Sequence, residues 1–278
     1  MLSDVVDLLA CPHCARGLTQ SEAALQCSNN HSFDIARQGY VSLLGGAGAA
    51  AVGDSVEMVA ARARFLDAGH YAPLLDELAA QAGHVGGRVV DVGAGTGHYL
   101  AAILGHSPHT VGIALDASKA AARRAAHVHL RAGSVLADSW QHLPIRDSCI
   151  DVVTSVFAPR RAAELRRVLC SAGALFVLTP TVRHLQELVG PLALLQVDGQ
   201  KAQRLAQSMD GFFTECTCTA LEFSMSMDHR TIEDLVGMGP SAWHATAQVR
   251  ANRIAALPNP LTVTASVVLT AYRPAEQR

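Results

Sequence analysis

Lysine is almost missing from this 278-residue chain: Lys119 and Lys201 stand against 20 arginines. Charged residues make up only 17% and aromatics only 5%. Half of the residues are hydrophobic, so the low charge excludes a disordered chain and predicts a well-buried core. A net charge of −2 excludes a protein that coats nucleic acid by bulk charge, although a local basic patch is enough to bind RNA. No apolar stretch reaches the roughly 18 residues that cross a bilayer. No basic start runs into an apolar segment either, so neither a membrane span nor a signal peptide is expected, and the expected location is the cytoplasm. The preference for Arg and Ala is that of a high-GC genome, which speaks of source and not of chemistry.

What is present begins with cysteine. Three of the seven, Cys11, Cys14 and Cys27, crowd the first 27 residues. Without a secretory signal, clustered cysteines are metal ligands before they are disulfides. Cys11-x2-Cys14 followed by Cys27-x3-His31 offers three thiolates and one imidazole on two turns, a closed tetrahedral set for a structural Zn²⁺. His13, between the first pair, is a bystander. A block of about forty residues lacks the core to fold alone, so bound metal is expected to supply folding energy and its loss to leave the block unstructured.

A Gly/Ala run, GGAGAAAVGD (45–54), follows and is expected to be a flexible connection. From 55 to 82 the spacing of Met58, Phe65, Tyr71, Leu74, Leu75 and Leu78 predicts helix. Strands are expected at 88–95, 109–116, 127–135, 149–159, 173–180 and 261–274, with helices starting at 99 and covering 118–126 and 160–169. That alternation predicts an α/β fold built on a doubly wound sheet. The chain divides into an N-terminal module (1–44), a linker and helical segment (45–82) and a main domain (83–278).

The first strand of the main domain runs into VVDVGAGTGHY (89–99). A tight strand-to-helix bend needs residues without a Cβ, and their absence lets a ligand approach the backbone. Gly93, Gly95 and Gly97 are spaced G-x-G-x-G, one residue short of the dinucleotide fingerprint. Asp91 precedes them, where a methyltransferase uses an acid to meet the methionine ammonium or to order the turn. Asp116 ends the next strand, 25 residues on, where a carboxylate can accept both hydroxyls of a ribose; read alone it is also a helix cap. Asp138, beside Ser139 and Trp140, follows the third strand, in a loop that nucleoside-binding folds of this type turn towards the adenine edge.

These residues resemble class I methyltransferases, and LPIRDSCIDVV (143–153), with Asp147 and Asp151, fits the approach to the fourth strand of that family. The resemblance implies a Rossmann-like sheet and S-adenosyl-L-methionine held by Asp91, Gly93, Gly95, Thr96, Gly97, His98, Asp116 and Asp138. The order of modules is closer still to the bacterial 23S rRNA guanine-N1 methyltransferases. Its marks are the zinc module with HSFDIARQGYVSLL (31–44), GDSVEMVAARARFLDAGHYAPL (53–74), DVGAGTGHY, SVFAP (155–159) and TPTVRHLQEL (179–188). That resemblance implies methylation of N1 of a guanine in a 23S rRNA hairpin loop at the peptide exit tunnel. Within that family, the Arg- and Ala-rich composition alone, as a sign of an actinobacterial source, favours guanine 748, the macrolide (tylosin) resistance position, over guanine 745. The resemblance adds Tyr71 and His184 as cofactor contacts and implies a homodimer, which no residue pattern carries. Arg37, Arg62, Arg64, Arg160 and Arg161 are candidates to grip RNA phosphates, and the zinc module is the candidate for substrate choice. No catalytic base is identified. A small-molecule methyltransferase and a non-catalytic RNA-binding protein are the alternatives; the first leaves the zinc module without a purpose, the second the intact glycine turn.

Overall fold

A computed structural model describes residues 1–45, 53–239 and 246–275; positions 46–52 of the expected linker lie outside them. Two 3₁₀ turns (Leu2–Asp4 and Val6–Leu8) open the chain. A small antiparallel sheet follows, of strands β1 (Leu18–Gln20), β2 (Ala24–Cys27) and β3 (Ser32–Asp34). Strand β4 (Tyr40–Ser42) then leaves that sheet and joins the main one.

The expected helical stretch is two helices, α1 (Val56–Asp67) and α2 (Ala72–Val85). Ser55 caps the first by accepting from the Met58 amide, and Gly69 at φ +79° turns the chain between them. The main domain continues with β5 (Arg88–Val92), α3 (His98–His106), β6 (Val111–Asp116), α4 (Lys119–Ala125), β7 (Ala132–Leu136), β8 (Ile150–Val156), α5 (Ala162–Val168) and β9 (Leu169–Pro180). Helices α6 (Gln186–Leu192) and α7 (Lys201–Met209) precede the long strand β10 (Phe213–Met227). Helices α8 (His229–Gly237) and α9 (Ala247–Ala255) lead to β11 (Leu261–Pro274).

The large sheet has the order β10-β11-β9-β8-β5-β6-β7-β4. Its strands from β4 to β9 are parallel, while β11 and β10 are antiparallel additions, so the sheet is mixed. Side chains alternate between two cores: Val89 packs with helices α2 and α3, Val90 and Val92 with the opposite face. This is the class I methyltransferase fold, with one extra edge strand.

One expected boundary moves, and two features stand outside the expectations. The third strand starts at Ala132, not at 127, because 127–131 is a turn in which Arg131 donates to the carbonyls of Leu104, Ser107 and Thr110 and so closes the end of α3. Strand β10 carries no expectation: it is an edge strand with an outer face in solvent, and its polar FTECTCT half lacks apolar alternation. The N-terminal block is not on its own. Leu2, Val5, Leu8, Leu9, Leu25, Val41 and Leu43 share one core with Val90, Ile113, Val135 and Ile145.

Candidate active site and metal centre

The order of strands reverses between β6 and β8 at β5, and ligands of open α/β sheets bind outside the strand ends at such a point. A cleft of about 650 Å³ opens there, within the range of small-molecule sites. Tyr71, Gly93, Gly95, Thr96, Asp116, Asp138 and His184 line it; Asp91, Gly97 and His98 do not.

The turn is built onto the end of β6. The amides of Gly93 and Ala94 donate to the Leu115 carbonyl (2.9 and 3.0 Å), and the Gly95 amide donates to Asp116 Oδ2 (2.8 Å). Gly93 stands at φ +78°, and a Cβ there would run into the side chain of Ala158. Asp116 Oδ1 accepts from the Ser118 amide (2.7 Å), while the cap of α4 is Ser118 itself, whose hydroxyl accepts from Ala121. Asp116 therefore belongs to the cleft and not to the helix start. Burial raises its carboxyl above the ordinary value, against the pull of the Ser118 and Gly95 amides.

Asp91 lies beneath the turn, 1% exposed. Thr154 donates to its Oδ1 (2.8 Å), whereas Oδ2 is buried without a hydrogen-bond partner. Burial pushes its carboxyl up to about 7, and the charge of Asp116 adds to the shift while the Thr154 hydrogen bond opposes it. His98 is turned away from the cleft. Its Nδ1 pairs with Thr96 Oγ1 (2.8 Å) and its Nε2 with Asp67 (2.9 Å), which also holds Arg124 (3.1 Å). Gly97 stands at φ +80° against Ala125 and Val128. These two residues pack the turn from behind and do not line the cleft.

Tyr71 and His184 meet across the cleft at 3.1 Å (Oη to Nε2). His184 Nδ1 accepts from the Ser266 amide (3.2 Å), so the proton of the neutral ring sits on Nε2 and is donated to Tyr71. Burial raises the Tyr71 hydroxyl far above its ordinary value, which keeps it neutral. On the opposite side, the Asp138 carboxylate accepts from the Trp140 amide (2.9 Å).

The structure adds residues to the site that carried no expectation there. Phe157, Tyr99 and Asp54 line the cleft, as does Arg62. Arg62 is held by Asp54 (2.5 Å) and the Met238 carbonyl (2.8 Å), so it braces the cleft. Arg64 is likewise engaged by Asp234. Asp147 pairs with Arg167 and Asp151 accepts from the Arg88 amide, which makes both structural.

The second site lies in the N-terminal block. Ligand atoms of Cys11, Cys14, Cys27 and His31 all fall within 4.8 Å of one another. Cys14 and Cys27 sulfurs are 3.7 Å apart, and His31 Nδ1 is 3.4 Å from both Cys11 and Cys27. A tetrahedron with ordinary Zn–S and Zn–N bonds has edges of about 3.8 and 3.5 Å, so the four atoms fit one zinc ion. Each ligand pair sits on a turn closed by a residue in the left-handed region, Ala15 (φ +57°) and Asn30 (φ +63°). His13 stacks on Phe33 and stays outside the set.

Comparison with known proteins follows the same division. Residues 9–45 match the N-terminal zinc-ribbon family of RlmA, and residues 89–174 match a methyltransferase domain. A 23S rRNA (guanine(748)-N(1))-methyltransferase of Streptomyces fradiae is 46% identical over 99% of both chains. A Micromonospora griseorubida protein named for the 23S rRNA guanine-N1 reaction is 46% identical over 99% of this chain and all of its own. Among solved structures, a Bacillus halodurans protein described as a methyltransferase superposes with a TM-score of 0.52 at 16% identity, covering 72% of this chain and 97% of its own. The [4+2]-cyclase SpnF does so with a TM-score of 0.50 at 19% identity, covering 73% and 81%. The structural likenesses speak for the fold alone, since one fold serves many reactions.

Proposed function

The chain belongs to the 23S rRNA (guanine-N1)-methyltransferases, and from that premise we propose that it methylates N1 of guanine 748 of 23S rRNA with S-adenosyl-L-methionine as donor, and so protects the ribosome from macrolides. The observation that carries this reading is the 46% identity to the guanine-748 enzyme over nearly the whole of both chains, zinc block included.

The methyl donor supplies an electrophilic carbon. In the reaction a bond forms from that carbon to guanine N1, the sulfur–carbon bond breaks, and the N1 proton leaves to solvent or a nearby acceptor. What this chain must do is align the two reactants and hold charges in place. We assign Gly93, Gly95 and Thr96 to the close backbone approach, Asp116 to the ribose hydroxyls and Asp138 to the adenine side. Tyr71 and His184 form a polar wall, and Asp91, beneath the turn and outside the lining, supplies a carboxylate whose charge a cationic ammonium would compensate. The zinc ion organises the two turns of the N-terminal block and takes no part in the transfer. The partition into a zinc module (1–44), a connecting segment (45–82) and a methyltransferase domain (83–278), the cytoplasmic location and a homodimer complete the proposal.

Primer extension on a 23S rRNA transcript treated with the protein and donor tests it, because N1 methylation blocks pairing. A stop at guanine 748 is expected. No stop anywhere in the loop, or methyl transfer to a small metabolite only, would overturn the reading, and calorimetry without heat on donor addition would make the protein a non-catalytic binder.

A further inference from the structure

Phe157 is the first residue after β8, and two features set it apart. It is 40% exposed although it borders the cleft, and its backbone is in the left-handed region at φ +51°. Both features count against stability: an aromatic ring is left in water, and a side chain with a Cβ is held where glycine is at ease. Strain of this kind persists where the surroundings fix it and the position is used. Here Arg160 fixes it, donating to the Ala158 carbonyl (2.8 Å) and the Ser155 hydroxyl (3.2 Å), and the Phe157 amide is tied to the Leu178 carbonyl (3.1 Å).

The ring faces two spaces. One is the cofactor cleft, where it lies 6.3 Å from the Tyr71 ring and 5.8 Å from that of His184. The other is a hollow of about 640 Å³ on the far side of the 157–159 turn, reaching to one side of α7. Thr179, Leu195 and Ser208 line it together with three charged residues, Arg160, Arg204 and Asp198. Leu195 is 59% exposed, and the Arg204–Asp198 pair lies at the surface, where partners exchange at little cost. An exposed aromatic beside a hollow with a cationic excess is the makeup of a groove for single-stranded nucleic acid, in which rings take the bases and arginines the phosphates.

We propose that Phe157 is the stacking surface for the methyl-accepting guanine and that the hollow beyond it receives the unpaired RNA flanking that base, with Arg204 on a phosphate. The inference rests on the reading of the protein as an rRNA methyltransferase. It places the accepting base on the wall between the two spaces, within reach of the donor in the first and tethered by its strand in the second.

The test uses the full-length protein and a 23S rRNA hairpin carrying the target guanine. Phe157→Leu is expected to lower kcat/KM for the RNA about ten- to a hundredfold, with donor affinity by calorimetry changed less than about threefold. Phe157→Trp is expected to restore turnover. Phe157→Gly relieves the backbone, so its melting temperature should equal or exceed that of the parent while its turnover is as poor as that of the Leu variant. A merely structural ring would give the opposite. Arg204→Ala should weaken RNA binding and reduce its salt dependence by about one ion. Unchanged kcat/KM in Phe157→Leu, or a loss matched by an equal loss of donor affinity, overturns the inference. A parent protein that methylates no fragment of 23S rRNA removes the functional reading itself and the inference with it.

Discussion

At the scale of single residues, Asp91 concentrates the electrostatics of the site. Its carboxyl is buried, accepts one hydrogen bond and titrates near 7, against about 3.8 in an open chain. Between those values the folded protein holds a proton that the unfolded chain has lost, so stability declines as pH rises from about 4 to 7 and is flat beyond. The decline amounts to on the order of 4 kcal/mol, at about 1.4 kcal/mol per tenfold change in proton affinity. Urea unfolding of the donor-free protein at pH 4 and pH 8 should show it, and Asp91→Asn should reduce it to the smaller part that Asp116 contributes; parallel curves for the two proteins would mean that Asp91 is already ionised in the fold. Tyr71 permits a second residue-scale expectation. Tyr71→Phe removes the acceptor of the His184 Nε2 proton, costing about 1–3 kcal/mol in urea unfolding and widening the donor's dissociation constant in calorimetry. Tyr71 and His184 were legible in the sequence only through a resemblance, because nothing in their spacing says that residues 113 positions apart share a hydrogen bond.

At the scale of elements, the strand–turn–helix unit from β5 to α3 carries most of the site. Gly93 has both a positive φ and a neighbour, Ala158, in the volume a methyl group would fill. Gly93→Ala is therefore expected to cost about 2–3 kcal/mol and to abolish donor binding, read by thermal melting and calorimetry on one sample. The glycine turn, Asp116 and the final strand were readable because backbone geometry and buried alternation leave direct marks on residue type. The failures have equally physical reasons. Strand β10 faces water along its outer side, so its pattern is polar and its pairing with β11 leaves no trace in its own sequence. Thr96 and His98 stand in the same motif, yet one borders the cleft and the other turns to Asp67, a choice made by a partner 31 residues away. Phe157 sat inside a recognised motif, but its left-handed backbone is a property of packing that no residue letter records.

At the scale of the whole molecule, the zinc block and the catalytic sheet are one structure. The four ligands fix turns whose flanking residues, Leu8, Leu9, Leu18 and Leu25, are buried in a core shared with Val90, Ile113 and Ile145. Stripping the metal with a chelator, or replacing Cys11 by Ser, should consequently lower a single cooperative melting transition, not release the block alone. Differential scanning calorimetry decides, since two separate transitions would show that the shared core is too weak to couple them. Zinc content near one equivalent in the parent and well under half in the Cys11→Ser protein completes the measurement.

Strand β4 gives this coupling a geometric meaning. It is hydrogen-bonded to β7, three strands from β5 and the glycine turn, which at about 4.8 Å per strand puts it roughly 14 Å across the sheet from the cleft. The N-terminal block is thus mounted like the fixed jaw of a caliper. Any partner that touches both jaws meets them at a separation that the strands between β4 and β5 fix. Lengthening the connection at 46–52 would leave that gauge unaltered, because the span is set by the sheet and not by the length of chain between its parts.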